Sequence, residues 1–146
     1  MARSERLGGP SAQLASALKV LGEPRRLRVL RVLLEAGDTL CGCELADILD
    51  VPDYQISRDL SALRKAGLVR NRGRSGTWVH YEAIDDASGY AAQVLDLVRQ
   101  MPLDDRDARR FELRLGLREQ VGCVLGPGHP DVVQAFRAEG LEPQGS

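Results

Sequence analysis

Cys41-Gly42-Cys43 is the most specific chemical feature of the chain. Thiolates are soft donors that suit thiophilic ions. On a regular helix, residues two apart point to nearly opposite sides, so this pair grips one ion only if the backbone leaves helical geometry. The pair stands at the start of a helical pattern, where backbone hydrogen bonding is incomplete, and Gly42 lowers the cost of a distorted turn. Cys123 is the one other thiol, in the glycine- and proline-rich stretch GCVLGPGHP, and His129 follows it by six residues. Three cysteines behind an amino terminus without a hydrophobic leader argue against a disulfide framework and for metal or redox chemistry.

A second set of residues suits nucleic acid. From Tyr54 to Gly76 stand Arg58, Arg64, Lys65, Arg70, Arg72 and Arg74 against one acid, Asp59, on a chain of net charge −1. A local basic patch on a near-neutral chain fits phosphate contact at one face. Gln55, Ser57, Arg58, Ser61 and Arg64 fall on one side of a helical pattern, with Ile56, Leu60 and Leu63 on the other. Gln55, Ser57, Arg58 and Ser61 are the candidates for the major groove, where glutamine suits adenine and arginine suits guanine. Arg64, Lys65, Arg70, Arg72 and Arg74 suit phosphates. The acid-rich carboxy-terminal part, from Pro102 onward, offers no comparable patch.

The elements that must position these residues follow from periodicity. Ser11–Leu21 and Pro24–Ala36 each carry apolar residues at helical spacing, with Gly37 as a carboxy-terminal cap. Thr39–Leu49 and Tyr54–Ala66 are two further helices around the Val51-Pro52-Asp53 break, since proline disfavours helix at the residue before it. Helix, short break, helix is the helix-turn-helix unit. Leu68–Arg72 and Thr77–Ile84 alternate apolar and polar residues around a glycine-containing turn and predict a β-hairpin, which makes the unit winged. Asp86–Met101 is a strong amphipathic helix whose broad apolar side suits a second subunit, so dimerisation is expected through it and Ser11–Leu21. Asp104–Glu119 reads as a helix or a loosely docked segment, and Asp131–Glu139 as a short helix. The expected fold is mainly α with a small β-hairpin, a homodimeric winged helix-turn-helix. The expected organisation is a disordered amino terminus over 1–10, a DNA-binding and dimerisation domain over 11–101, and an extension over 102–146 that carries Cys123. With no apolar run near membrane-spanning length and no leader, a cytoplasmic location is expected.

At these residues the chain resembles the ArsR/SmtB family of metalloregulators, over about Ser11 to Met101. LGEPRRLRVLRVLLEAG resembles that family's leading helices, and ISRDLSALRKAGLVRNRGRSGTWVHYEAI its recognition helix and wing. LCGCELA resembles the arsenic-responsive branch, whose motif reads Leu-Cys-Val-Cys-Asp-Leu-Cys. Cys41 and Cys43 match its first two thiols, and Ala46 stands where the third belongs. The resemblance implies a dimeric repressor, not an enzyme, that binds double-stranded operator DNA as an inverted repeat and releases it when trivalent arsenic or antimony binds. Such ions favour three sulfurs, which makes Cys123, from the same subunit or its partner, the candidate third ligand; without it, two thiols suit a monomethylated or aryl arsenical. The family's zinc site on its last helix is not expected, because Asp86–Met101 has no histidine.

Other readings stay open. Cys41, Cys43, Cys123 and His129 suit a tetrahedral zinc or cadmium site. Cys41 and Cys43 alternatively serve redox control. His80, on a wing strand, reads as a surface or packing residue. A small thiol enzyme would need an activated cysteine in an anion-binding loop, and no such loop surrounds either thiol. A winged-helix protein with inert thiols that binds only protein partners is the remaining class.

Overall fold

The structure, a computed structural model, describes residues 9–75, 78–121 and 128–141. Residues 1–8 of the amino terminus expected to be disordered, residues 76–77 and Cys123 lie outside the described residues, while Pro10, at the end of that expected stretch, already belongs to the first helix. Helix α1, Pro10–Leu21, starts on a proline after Gly9, where the missing N–H costs nothing. Helix α2, Pro24–Ala36, starts the same way and ends at Gly37, whose φ of 62° is the left-handed conformation that glycine adopts without strain. Strand β1, Leu40–Cys41, and helix α3, Gly42–Leu49, come next. Helix α4, Asp53–Lys65, follows the Val51-Pro52 break. Strands β2, Val69–Ser75, and β3, Trp78–Ala83, lead to α5, Gly89–Gln100. Helices α6, Asp105–Val121, and α7, Pro130–Ala138, complete the chain.

The core lies where α2, α3 and α4 meet. Leu30, Leu33, Leu45, Ile48, Ile56 and Leu63 are fully buried there. Each such side chain contributes about 1.5–3 kcal/mol relative to exposure. Val94, Leu95 and Val98 of α5 join the same cluster. This is the mainly helical winged helix-turn-helix that the periodicity predicts. No described helix is long and apolar enough to cross a membrane.

Two details depart from the expectation. The segment read as helix from Thr39 opens instead with β1, and helix begins at Gly42. The wing is accordingly an antiparallel sheet of three strands in the order β1-β3-β2, not a lone hairpin. Leu40 lies opposite Tyr81, and Cys41 opposite His80. Two residues are too few for a periodic signal, and their pairing partner lies about 40 positions away in sequence. The β2–β3 pairing also carries a bulge between Asn71 and Gly73, which shifts the register of the outer wing.

Charged side chains lock the helices around this core. Asp59 on α4 is buried and receives Arg25 through two hydrogen bonds, Nε to Oδ2 at 2.6 Å and Nη2 to Oδ1 at 3.0 Å. That fork fixes α4 to the start of α2. Arg28 reaches across from α2 to Asp107 of α6, at 2.9 and 2.8 Å, and donates to the Leu49 carbonyl at the end of α3.

Candidate functional site

Cys41 is the residue before the first turn of α3, in extended conformation, and it forms a capping box with Glu44. The Cys41 backbone N–H donates to Glu44 Oε1 at 3.0 Å. A Ser-x-x-Glu pattern is the usual sequence for this device; here a thiol occupies the serine position. Cys43 lies within the same first turn, and both cysteines are buried, at 0% and 1% relative exposure. Cys41 thus has three attachments: it caps α3, pairs with the wing strand and carries a thiol.

Glu44 is fully buried, and its carboxylate is held from outside α3 as well. Arg118 of α6 donates to it through Nε at 2.8 Å and Nη2 at 2.7 Å, and also to the Thr39 carbonyl. One turn farther along α3, Asp47 accepts from Arg114 Nε at 3.0 Å and from the Gly128 N–H at 2.9 Å. Burial holds the Asp47 carboxyl above the ordinary carboxylate range, against the opposing pull of Gly128 and Arg114. At the far end of α3, Arg110 donates to the Asp47 and Ile48 carbonyls and to the Leu141 carbonyl, with its guanidinium 4.1 Å over the Phe136 ring. The Asp47 and Ile48 carbonyls are among those that a helix leaves unpaired at its end. Desolvation lowers the Arg110 pKa from its ordinary value. Three arginines four residues apart therefore line one face of α6 and grip the thiol-bearing helix along its length.

That grip was not read from the sequence. The signal was present as Cys41-x-x-Glu44 and as Arg110, Arg114 and Arg118 at one-turn spacing. A charged stripe at that spacing ordinarily marks a solvated face, so only the packing reveals it as an internal one. Asp104–Glu119 is accordingly a docked helix, and Asp131–Glu139 corresponds to α7.

The other predicted ligands are placed as follows. Cys123 is outside the described residues. His129 caps α7, its Nδ1 accepting the Asp131 N–H at 3.1 Å. Among the described residues no three His, Cys, Asp or Glu side chains stand close enough to hold an ion.

On α4, Ser57, Arg58, Arg64 and Lys65 are exposed, while Gln55 and Ser61 are half-buried. Ile56, Leu60 and Leu63 form the packed back of the helix. Arg58 lies over the Tyr54 ring at 5.8 Å. On the wing, Arg72 and Arg74 are exposed, and Arg72 is only loosely paired with Glu82, at 3.6 Å. Arg70 differs: it is bound by Glu82, Asp85 and Asp86 at 2.9, 2.8 and 3.1 Å, so its charge is neutralised within the molecule. On another side, Leu18, Leu21 and Leu27 face Val94, Leu97 and Met101 across an apolar groove between α1 and α5.

Comparison with known proteins agrees with this architecture. The sequence profile described as "Bacterial regulatory protein, arsR family" matches residues 23–71, a span that includes both thiols of the pair and α4. An uncharacterised HTH-type transcriptional regulator of Methanocaldococcus jannaschii is 42% identical over 72 residues, 49% of this chain and 79% of that protein. The arsenical resistance operon repressor of Escherichia coli is 38% identical over 78 residues, covering 53% of this chain and 65% of its own length. An arsenic resistance transcriptional regulator of Pseudomonas putida is 40% identical over 63 residues, 43% of this chain and 48% of its own. These relatives are named as regulators and not as enzymes, in keeping with the reading of the site. No solved structure matches the chain. With a winged helix-turn-helix fold and a relative matched over most of its length, the chain belongs to the ArsR family of bacterial regulatory proteins.

Proposed function

We propose that the protein is a homodimeric transcriptional repressor that binds an inverted-repeat operator and releases it when trivalent arsenic or antimony binds Cys41 and Cys43, with Cys123 as third ligand. One observation carries the reading: the thiol of Cys41 sits at the cap of α3, and α3 packs directly against α4, the helix whose exposed side carries Ser57 and Arg58. The names of the arsenical relatives support the inducer class.

Each thiol that binds hydrated trivalent arsenic or antimony replaces one of its hydroxide ligands, the thiol proton leaving with that hydroxide as water. The chain's own residues then transmit the change. Engaging Cys41 and Cys43 together pulls the first turn of α3 out of helical geometry and takes the Cys41 side chain out of the capping box. Losing a cap costs about 1 kcal/mol. Moving an equilibrium from 1:99 to 99:1 takes roughly 5.5 kcal/mol of differential binding. The cap alone is therefore too small a lever, and the wider disturbance includes the β1–β3 pairing and the Glu44–Arg118 contact. Gln55, Ser57, Arg58 and Ser61 would read bases, and Arg64, Lys65, Arg72 and Arg74 would meet phosphates. Homodimerisation through α1 and α5 would set half-sites about 34 Å apart.

Chain length supports Cys123 as a ligand from the same subunit. Arg118 and Gly128, five residues to either side of it, are both hydrogen-bonded to α3. Five residues of chain span at most about 18 Å, a reach that supports Cys123 as a ligand from the same subunit.

The test is fluorescence anisotropy of a labelled duplex from the gene's own upstream region, with reduced protein, titrated separately with arsenite, antimonite, phenylarsine oxide, cadmium and zinc. Release by arsenite and phenylarsine oxide, lost in Cys41→Ser and Cys43→Ser, supports the proposal. Arsenite release unchanged in Cys123→Ser removes the third ligand. Release by cadmium or zinc alone replaces the inducer with a tetrahedral site that draws on Cys123 and His129. Loss of binding on oxidation, reversed by dithiol without metal, would make the pair a redox switch.

A further inference from the structure

We propose that His80 is a nitrogen donor that joins Cys41 and Cys43 in a mixed sulfur–nitrogen site for a borderline divalent cation of the zinc, cadmium or cobalt class. The inference rests on the reading of the two cysteines as a ligand pair and adds to it a residue of the wing.

Two independent observations point to His80. The first is register: His80 on β3 lies directly opposite Cys41 on β1 in an antiparallel pair. Directly opposed residues share a face of the sheet, with Cβ atoms about 4.5–5.5 Å apart. That separation lets a thiolate at about 2.3 Å and an imidazole at about 2.0–2.1 Å converge on one ion. Leu40 and Tyr81, the neighbouring pair, fall on the other face, and both pack with the hydrophobic core. Cys41 and His80 are thus segregated from the apolar side of the sheet. The second observation is chemical: His80 Nδ1 is buried and has no hydrogen-bond partner among the described residues. A buried ring nitrogen without a partner is unusual in a folded protein and marks a group whose partner is still to be supplied. His129, the one other histidine, uses its Nδ1 to cap α7.

The resting fold does not hold a formed site, since no three candidate ligands stand close enough among the described residues. Cys43 reaches the Cys41–His80 pair when the first turn of α3 is reshaped, the same change that arsenical binding requires. On binding, the two thiols release two protons to solvent and the neutral imidazole donates its Nδ1 lone pair while keeping the proton on Nε2. The ion would then tie the α3 turn to wing strand β3. A pyramidal trivalent metalloid prefers sulfur alone, so His80 separates the two inducer classes.

The experiment titrates the reduced full chain with zinc and follows the imidazole nitrogens by NMR, where only His80 and His129 contribute. One equivalent of zinc is expected to shift His80 Nδ1 and leave His129 in place. His80→Ala is expected to weaken zinc, measured against a chromophoric chelator, by at least about tenfold, since even an outer-shell partner costs about 10–100-fold. Affinity for phenylarsine oxide should stay unchanged. His80→Gln, which keeps a polar side chain in the strand, should show the same loss if the alanine variant folds poorly. Failure of zinc to bind, zinc bound with His80 unmoved, or a His80 shift that survives Cys41→Ser and Cys43→Ser would each overturn the proposal. Arsenical release that persists in those serine variants would overturn the arsenical reading while leaving the zinc result to stand by itself.

Discussion

Cys41 occupies the position where helices most often place serine, threonine, asparagine or aspartate, and Glu44 answers it as a capping box requires. Replacing the sulfur therefore separates structure from sensing. Cys41→Ser restores the ordinary Ser-x-x-Glu cap, and its unfolding free energy in urea should stay within about 1 kcal/mol of the parent. Cys41→Ala removes the capping atom and should cost about 1 kcal/mol. Both should bind operator and ignore arsenite in the anisotropy titration; a serine variant that still responds would remove Cys41 from the ligand set. Gly42 offers a sharper contrast. A Cβ added there meets nothing nearer than Asp53 Oδ1, at 3.9 Å, so the resting fold does not need glycine. Gly42→Ala should raise stability by about 0.4–1 kcal/mol through the unfolded chain. If the turn must leave helical geometry to bind, the same substitution should weaken phenylarsine oxide. Unchanged affinity would mean that coordination leaves the backbone in place.

At the scale of elements, the informative contact is α6 against α3. Buried ion pairs return little net stability, because desolvation offsets their attraction, but breaking one partner leaves an unpaired charge. Arg114 is an extreme case: among the described residues its buried Nη1 and Nη2 have no partners, and only Nε meets Asp47. Arg114→Met should therefore cost about 3 kcal/mol, and adding Asp47→Leu should recover most of it. A double variant no more stable than the single would show that the two side chains act separately. The pH dependence follows from Asp47, whose carboxyl is raised by burial above its ordinary 3.8. Between that value and the raised one, the folded state binds the proton that the unfolded chain has released, so stability falls as pH rises. Asp47→Asn cannot titrate, so the denaturation midpoint of the wild type relative to this variant should fall as pH rises across that window. This layer is also where sequence reading stopped short. Ile56, Leu60 and Leu63 announced the back of α4 because apolar periodicity is a local property. Leu40 and Cys41 gave no strand signal, and Arg110, Arg114 and Arg118 looked like a solvated stripe, because both depend on partners far along the chain. Gly37 was legible as a helix stop for the opposite reason: a φ of 62° is a local demand that glycine meets.

For the whole molecule, the open question is what covers the groove between α1 and α5. Leu18 and Leu97 are 54% and 65% exposed, with Leu21, Leu27, Val94 and Met101 around them, an apolar surface that an isolated chain has no reason to keep. The groove lies on the two helices that the periodicity assigned to dimerisation. Leu97→Asp places a charge in the middle of this surface without touching a buried residue, so the fold should persist. Sedimentation velocity should then show a dimer for the parent and a monomer for the variant. Operator binding should respond in a way that a damaged recognition helix would not imitate. A dimer holds its second α4 at high effective concentration over the second half-site, a gain of about 10²–10⁴ over one module alone. The variant should lose a factor of about 10² or more on the full inverted repeat and bind an isolated half-site as the parent's single module does. A Leu97→Asp protein that remains dimeric would place the interface elsewhere, and one that is monomeric yet binds the full operator undiminished would show that the two halves are read independently.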